Sequence, residues 1–263
     1  MTKVVYVLAL LILFSCEGKS QLNSKLPVTS DSLEKENSRQ DKIDQFVNRN
    51  PDNGKTSQSM GTVSDGKLVN GKLMPFQGAN FRYFDTLSYL SSRGFVNDKV
   101  KRSTLQTYTE LAKDFPQRNF FIMECSNKNG GKIFPHRTHQ NGLSIDFMVP
   151  LIKNNEPCYE LDTIGASHYW LEFDNTGKYS KDKTISIDFN LIACHILELE
   201  KQARLNSLKI SKVIIKTELI DELYSSKNGH KLKNSGIYVA QKLTPLINSL
   251  HDDHYHIDFE IIK

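Results

Sequence analysis

The chain has 263 residues, of which 38% are hydrophobic and 24% charged, with 14 glycines. This composition excludes a collagen-like repeat, wholesale disorder and a coiled coil, and a chain of this length can bury a core without needing disulfides. The formal net charge of +4, from 34 Lys+Arg against 30 Asp+Glu, gives no sign of a nucleic-acid partner and is compatible with an anionic substrate.

Val4 to Phe14 is one apolar run, VVYVLALLILF, preceded by Lys3. It is too short for a membrane-spanning helix, which needs about 20 residues. A basic start and a short apolar stretch describe a secretory signal. The run ends Leu13-Phe14-Ser15-Cys16, which resembles a bacterial lipoprotein signal over residues 1–15. That resemblance implies lipidation at Cys16 and an exported, periplasmic protein held to a membrane through its lipid anchor only. An exported context permits a disulfide among Cys125, Cys158 and Cys194, but three thiols leave one over and the sequence does not choose a pair.

Residues 16–59 are polar and poor in large apolar side chains, as in a flexible linker. Asp41 to Asn50 has the pattern of a turn or two of helix, with Ile43, Phe46 and Val47 too few to dock strongly. From Met60 onward, Gly61, Gly66, Gly71 and Gly78 punctuate a stretch suited to turns and short strands. The apolar stripe Val100, Leu105, Tyr108, Leu111 and Ala112 predicts a helix over Val100–Lys113, closed by Pro116. Phe120–Glu124, Leu143–Val149 and His168–Phe173 read as strands. Asp188–Ala203 is the clearest helix, with Asp188 placed to cap it. Ile210–Ile215 is a β-branched run with the character of a central strand. Ile237–Leu250 reads as a helix kinked at Pro245, and His254–Ile261 as a closing, alternating strand. Helices and strands mix without strict alternation, which predicts an α+β domain over residues 60–263.

Five of the eight histidines fall in two windows. The first runs from His136 through His139 to Asp146 (HRTHQNGLSID), and the second is HDDHYH, with His251, His254 and His256. On a strand, His254 and His256 share a face, while Tyr255 and Ile257 take the other. Two imidazoles with Asp146 suit a divalent transition metal, zinc foremost, and three protein ligands leave a position for water, as catalytic rather than structural sites do. The isolated His168, His195 and His230 read as surface or core residues.

The two windows resemble the penicillin-insensitive murein endopeptidases, a family in the LAS group of zinc peptidases. That group shares a histidine, six residues, an aspartate and a distant His-x-His, which His139, Asp146, His254 and His256 match. His136 and His251 match two further histidines of the endopeptidase branch. The resemblance covers roughly residues 60–263 and is specific only in the two windows. It implies a small, mostly antiparallel sheet with flanking helices and the zinc site on the sheet. It assigns one catalytic zinc to His139, Asp146 and His256, and general-base work to His254, although geometry alone equally permits His254 to be a ligand. His251 and His136 would line the cleft and stabilise an oxyanion or orient ligands. Thr138 and Gln140 are candidates for hydrogen bonding around the site, or for serving only the turn. The family usually has serine at Thr138, an acid at Ser144 and arginine at Asp258. Residues 147–184 do not align with it.

The activity implied is hydrolysis of D-alanyl-meso-diaminopimelyl cross-links in peptidoglycan through a metal-activated water. The rivals are an LAS-type D,D- or L,D-carboxypeptidase and a non-catalytic, zinc-bearing wall-binding lipoprotein.

Overall fold

A computed structural model describes residues 30–262, with side chains from Glu34 onward. The signal segment and Cys16 lie outside the described residues. The chain divides into two units, Met1–Ser38 and Arg39–Lys263, and the candidate site lies wholly in the second. No described helix is long and apolar enough to cross a membrane.

The segment read as a linker contains a 20-residue helix, α1 (Ser30–Arg49). Its many Glu, Lys, Gln and Arg residues favour helix. Within the second unit Ile43 is buried and Phe46 packs edge-on against Tyr89, with ring centroids 5.5 Å apart. One aliphatic and one aromatic side chain, entering a pre-existing aromatic cluster, are enough to dock it. Residues 58–96 form short elements, as the glycine spacing predicts. These are β1 (Gln58–Gly61) paired with β2 (Gly66–Val69), β3 (Lys72–Leu73), β4 (Phe81–Tyr83), α2 (Thr86–Leu90) and β5 (Phe95–Val96).

The predicted helix near residue 100 is α3 (Asp98–Asp114), started by Asn97 accepting from the Lys99 amide. It leads into β6 (Phe120–Ile122) and then β7 (Ser144–Met148). A small three-stranded sheet follows, of β8 (Leu151–Lys153), β9 (Glu156–Cys158) and β10 (Ile185–Ile187). The second long helix, α4 (Phe189–Leu205), is capped by Asp188, which accepts from the Leu191 amide. The chain ends with β11 (Leu208–Ile214), three short helices α5 (Ile220–Ser225), α6 (Gly229–Lys233) and α7 (Pro245–Ser249), and β12 (His254–Ile261).

The main sheet has the order β11-β12-β7-β6-β4 and is antiparallel except where β4 meets β6. The molecule is therefore a mixed α+β fold. Alternation along β7 and β12 sorts the side chains. Ile145, Phe147, Tyr255 and Ile257 form the apolar face, all at most 1% exposed. They meet α4, where His195 stands edge-on to Phe147 at 4.6 Å and its Nδ1 lies 2.9 Å from the Tyr255 hydroxyl. Ser144, Asp146, His254, His256 and Asp258 occupy the opposite face.

Three elements differ from expectation. Residues 168–173 are not a strand. His168 lies within a 3-10 helix, Gly165–Trp170, and is turned inward with Nε2 3.0 Å from the Asp253 carbonyl. The span 237–250 is mostly irregular, because Pro245 starts α7 instead of kinking a longer helix. Thr244 caps that turn, and proline suits the first helical position since its missing N–H would be unpaired there anyway. The β-branched run at 210–215 lies at the sheet edge. It is buried nonetheless, because Val213 donates to the Tyr238 carbonyl and accepts from the Ala240 amide. Cys125, Cys158 and Cys194 are all free thiols.

Candidate metal centre

The register of β7 against β12 builds the site. Asp146 stands opposite His256, Ser144 opposite Asp258 and Met148 opposite His254. Directly opposed residues on one face are in contact, so the carboxylate of one strand meets the imidazole of the next. Asp146 Oδ1 lies 2.7 Å from His256 Nδ1. The loop before β7 brings in the third group. His139 has a left-handed backbone, φ 63°, and Gly142 follows at φ 78°. This bend drops the His139 ring between the two strands, with Nε2 3.1 Å from His256 Nδ1 and 3.3 Å from Asp146 Oδ2. His136 also reaches the cluster, with Nδ1 3.6 Å from Asp146 Oδ2.

Each ring is held from behind. His256 Nε2–H donates to Asp258 Oδ1 at 2.7 Å, the same oxygen that accepts from Ser144 Oγ at 2.6 Å. Lys212 on β11 pairs with Asp258 Oδ2 at 2.9 Å. His136 Nε2–H donates to Glu124 Oε2 at 2.6 Å, and Glu124 is also held by Arg93 and Ser88. Carboxylates that fix the far nitrogen of an imidazole set its tautomer and orientation. His256 and His136 therefore each turn Nδ1 towards Asp146.

The electrostatics follow from this crowding. Burial opposes charge on Asp146, but His139 and His256 outweigh it and hold its carboxyl well below the usual range. Burial likewise works against His256, yet Asp258 and Asp146 lift it to about 10. His139 is lowered by burial, with Asp146 pulling the other way.

The donor set fits a cation. His136, His139 and Asp146 each offer an atom, and these lie within 4.8 Å of one another. Asp146 Oδ2 is buried with no hydrogen-bond partner among the described residues. A buried acceptor in that state is costly unless something positive faces it. Donors held at about 2.0–2.1 Å from a tetrahedral ion stand about 3.3 Å apart. The separations of 2.7 to 3.6 Å among these atoms are close to that spacing. His256 is part of the same cluster, and with Nε2 committed to Asp258 its Nδ1 is the atom it can offer.

His136 and His256 line a cleft of about 450 Å3, with His139 and Asp146 buried behind them. One wall carries His251 and His254, whose rings lie 4.7 Å apart. His254 Nδ1 is 2.7 Å from Asp253 Oδ1, leaving Nε2 for the cleft. Burial lowers the affinity of His254 for a proton, but Asp253 outweighs it and the net shift is upward. His251 Nδ1–H donates to the Ile247 carbonyl at 2.6 Å, and burial together with His254 pushes its pKa down to about 3. It is therefore neutral at physiological pH, with Nε2 as an acceptor. In that tautomer it accepts a proton or a hydrogen bond and does not donate one to an oxyanion.

Of the six histidine and aspartate positions singled out from the sequence, His136, His251, His254 and His256 thus line one cleft, and His139 and Asp146 lie buried against His256. Thr138 lines the cleft, whereas Gln140 serves the turn, donating to the Arg137 carbonyl. Sequence reading missed Glu124, Lys212, Arg93 and the segment carrying Tyr169 and Trp170. Only Asp253, inside HDDHYH, lay within a window already marked. No protein-family model matches the chain, and no curated protein is similar to it.

Proposed function

We propose that the chain is a zinc-dependent murein endopeptidase that hydrolyses D-alanyl-meso-diaminopimelyl cross-links in peptidoglycan. The observation that carries this reading is the placement of Asp146 opposite His256 and beside His139, directly behind a cleft lined by His256 and by a carboxylate-held His254. A nitrogen- and oxygen-only donor set without cysteine suits a catalytic zinc. His139, Asp146 and His256 would hold it, with His136 Nδ1 beside them. Bound there, zinc supplies Lewis acidity and lowers the pKa of water.

The protein groups do the rest. His254 Nε2 takes the proton as water oxygen bonds to the scissile carbonyl carbon, and returns it to the amine nitrogen as the C–N bond breaks. Asp253 orients that imidazole and favours its protonated form. Arg137 lines the cleft and is exposed, which suits a substrate carrying carboxylates, whereas Arg93 and Lys212 are held by Glu124 and Asp258. Export as a lipoprotein through Cys16 would bring the domain to the wall.

The test is to digest cross-linked peptidoglycan and separate the muropeptides, beside a chelated sample and a His254→Ala sample. Loss of cross-linked dimers that requires both metal and His254 supports the reading. Shortened stems with dimers intact indicate a carboxypeptidase. Zinc bound with no change in any muropeptide indicates a wall-binding protein.

A further inference from the structure

Hydrolysis of an amide places negative charge on the carbonyl oxygen, and active sites meet that charge with a preorganised donor. Most donors around this cleft are already committed. His136 Nε2–H is taken by Glu124, and His251 Nδ1–H by the Ile247 carbonyl. Arg93 is divided between Glu124 Oε2 and the Phe134 carbonyl, both at 2.8 Å. Lys212 is paired with Asp258.

Arg137, Thr138 and Trp170 line the cleft too, but Tyr169 alone among the described lining residues buries an unpartnered donor. It lines the cleft, and its hydroxyl is buried with no hydrogen-bond partner among the described residues. A buried hydroxyl without a partner is destabilising by about 1–3 kcal/mol, so its retention calls for an explanation. The ring is held on two sides. It stands edge-on to His254 at 5.7 Å and 89°, and edge-on to Phe84 at 5.5 Å and 82°. Burial and the carboxylates of Glu124 and Asp146 push its pKa well above the ordinary phenol value, so the group is a neutral donor at every working pH. The 3-10 helix that carries it is tied to the opposite side of the base. His168 Nε2 meets the Asp253 carbonyl at 3.0 Å, and the Asp253 side chain holds His254. One short segment therefore positions both the hydroxyl and the proton acceptor.

We propose that the Tyr169 hydroxyl is the donor to the oxyanion that develops when a carbonyl is attacked in this cleft, an inference that rests on the peptidase reading above. No bond to Tyr169 forms or breaks. Its O–H only donates a hydrogen bond, strongest when charge on the carbonyl oxygen is greatest, while the transferred proton travels through His254.

The experiment uses the mature chain with Tyr169→Phe, which keeps the ring contacts and removes the hydroxyl, beside Thr138→Ala as the other hydroxyl of the cleft. Cross-link cleavage by Tyr169→Phe should lose about 100-fold in kcat with KM within threefold, the effect of removing one such donor. Zinc content and thermal midpoint should not change. A second readout needs no turnover. Acetohydroxamate binding to the cobalt-loaded protein, followed by visible absorption, should weaken about tenfold in Tyr169→Phe. Cleavage by Tyr169→Phe within threefold of the parent, or a loss shared equally by Thr138→Ala, overturns the assignment. If the parent protein cleaves no muropeptide, the peptidase reading fails. The hydroxamate comparison then decides the donor alone, with weaker binding keeping it and equal binding overturning it.

Discussion

Replacing Asp258 by Asn should loosen the metal site without touching any atom that faces the metal. Asp258 is 2% exposed and receives three groups, namely His256 Nε2–H at 2.7 Å, Ser144 Oγ–H at 2.6 Å and the Lys212 ammonium at 2.9 Å. Asparagine keeps the shape and one acceptor oxygen, so the ring stays roughly in place, but it removes the charge that makes His256 Nδ1 a strong donor to a cation. Lys212 is a third exposed, so water compensates much of its lost partner and that contribution is small. The loss should therefore appear mainly in metal affinity, weakened about 10- to 100-fold, or about 1.4–2.7 kcal/mol. Ser144→Ala should cost less, near the worth of one hydrogen bond, about 1 kcal/mol. The assay is competition for zinc against a chromogenic chelator, with the metal-free thermal midpoint measured alongside. Unchanged zinc affinity in a folded Asp258→Asn protein would refute the reasoning.

The same pair marks where the chain differs from the endopeptidases its two windows resemble, which usually carry an acid at Ser144 and arginine at Asp258. Ser144 and Asp258 are opposed across β7 and β12, so here the acid stands on the strand facing Ser144, and Lys212 on β11 sets a positive charge beside it. Combining Ser144→Asp with Asp258→Ser should accordingly recover most of the affinity that Asp258→Ser alone loses.

Other outcomes follow from the same structure. His254→Ala should bind zinc as the parent does and cleave cross-links at least about 100-fold more slowly, read from metal analysis and muropeptide release on one sample; equal loss of metal would show that His254 is a ligand. Asp162 is buried and its pKa is raised from 3.8 to about 7 by burial. A carboxyl raised on folding contributes its full stability below 3.8 and loses it as pH rises through 7. Asp162→Asn should thus gain on the parent as pH rises from 4 to 8.5, by up to ~4 kcal/mol in denaturant titrations; a gap that stays constant with pH would contradict this. His195 is pushed down to about 3 by burial alone, so the unfolded chain binds a proton the folded one does not between pH 3 and 6.5. His195→Gln should therefore flatten the loss of stability on acidification across that range. Ile43→Ala should destabilise the second unit by about 2–3 kcal/mol if α1 is docked, whereas a free linker would show no change.

Much of the fold was legible because the signals were local. The stripe in α4 with Asp188 before it and the alternation His254–Ile261 give the observed elements nearly residue for residue. The failures were tertiary. Nothing in the polar sequence of α1 shows that Tyr89 and its neighbours wait for Ile43 and Phe46. Pro245 reads equally as a kink or a start, and only Thr244 capping decides it. His168 looked like a strand residue until the Asp253 carbonyl gave its ring a partner. At the site, spacing brought out the six residues because they sit in two short windows, one running from a loop into β7 and one from a turn into β12. Glu124, Lys212 and Tyr169 come from three other elements and carry no periodic or motif signal, so only folding reveals that they face the histidines.

The central claim is that one zinc held at this cluster drives cross-link hydrolysis. Chelated protein should be titrated with zinc while bound metal and muropeptide dimers are measured on the same samples. The account predicts that cleavage rises in proportion to bound zinc and saturates at one ion per chain, with Asp146→Ala neither binding nor cleaving. Full cleavage by the metal-free protein, or one zinc bound per chain with every dimer intact, would contradict it.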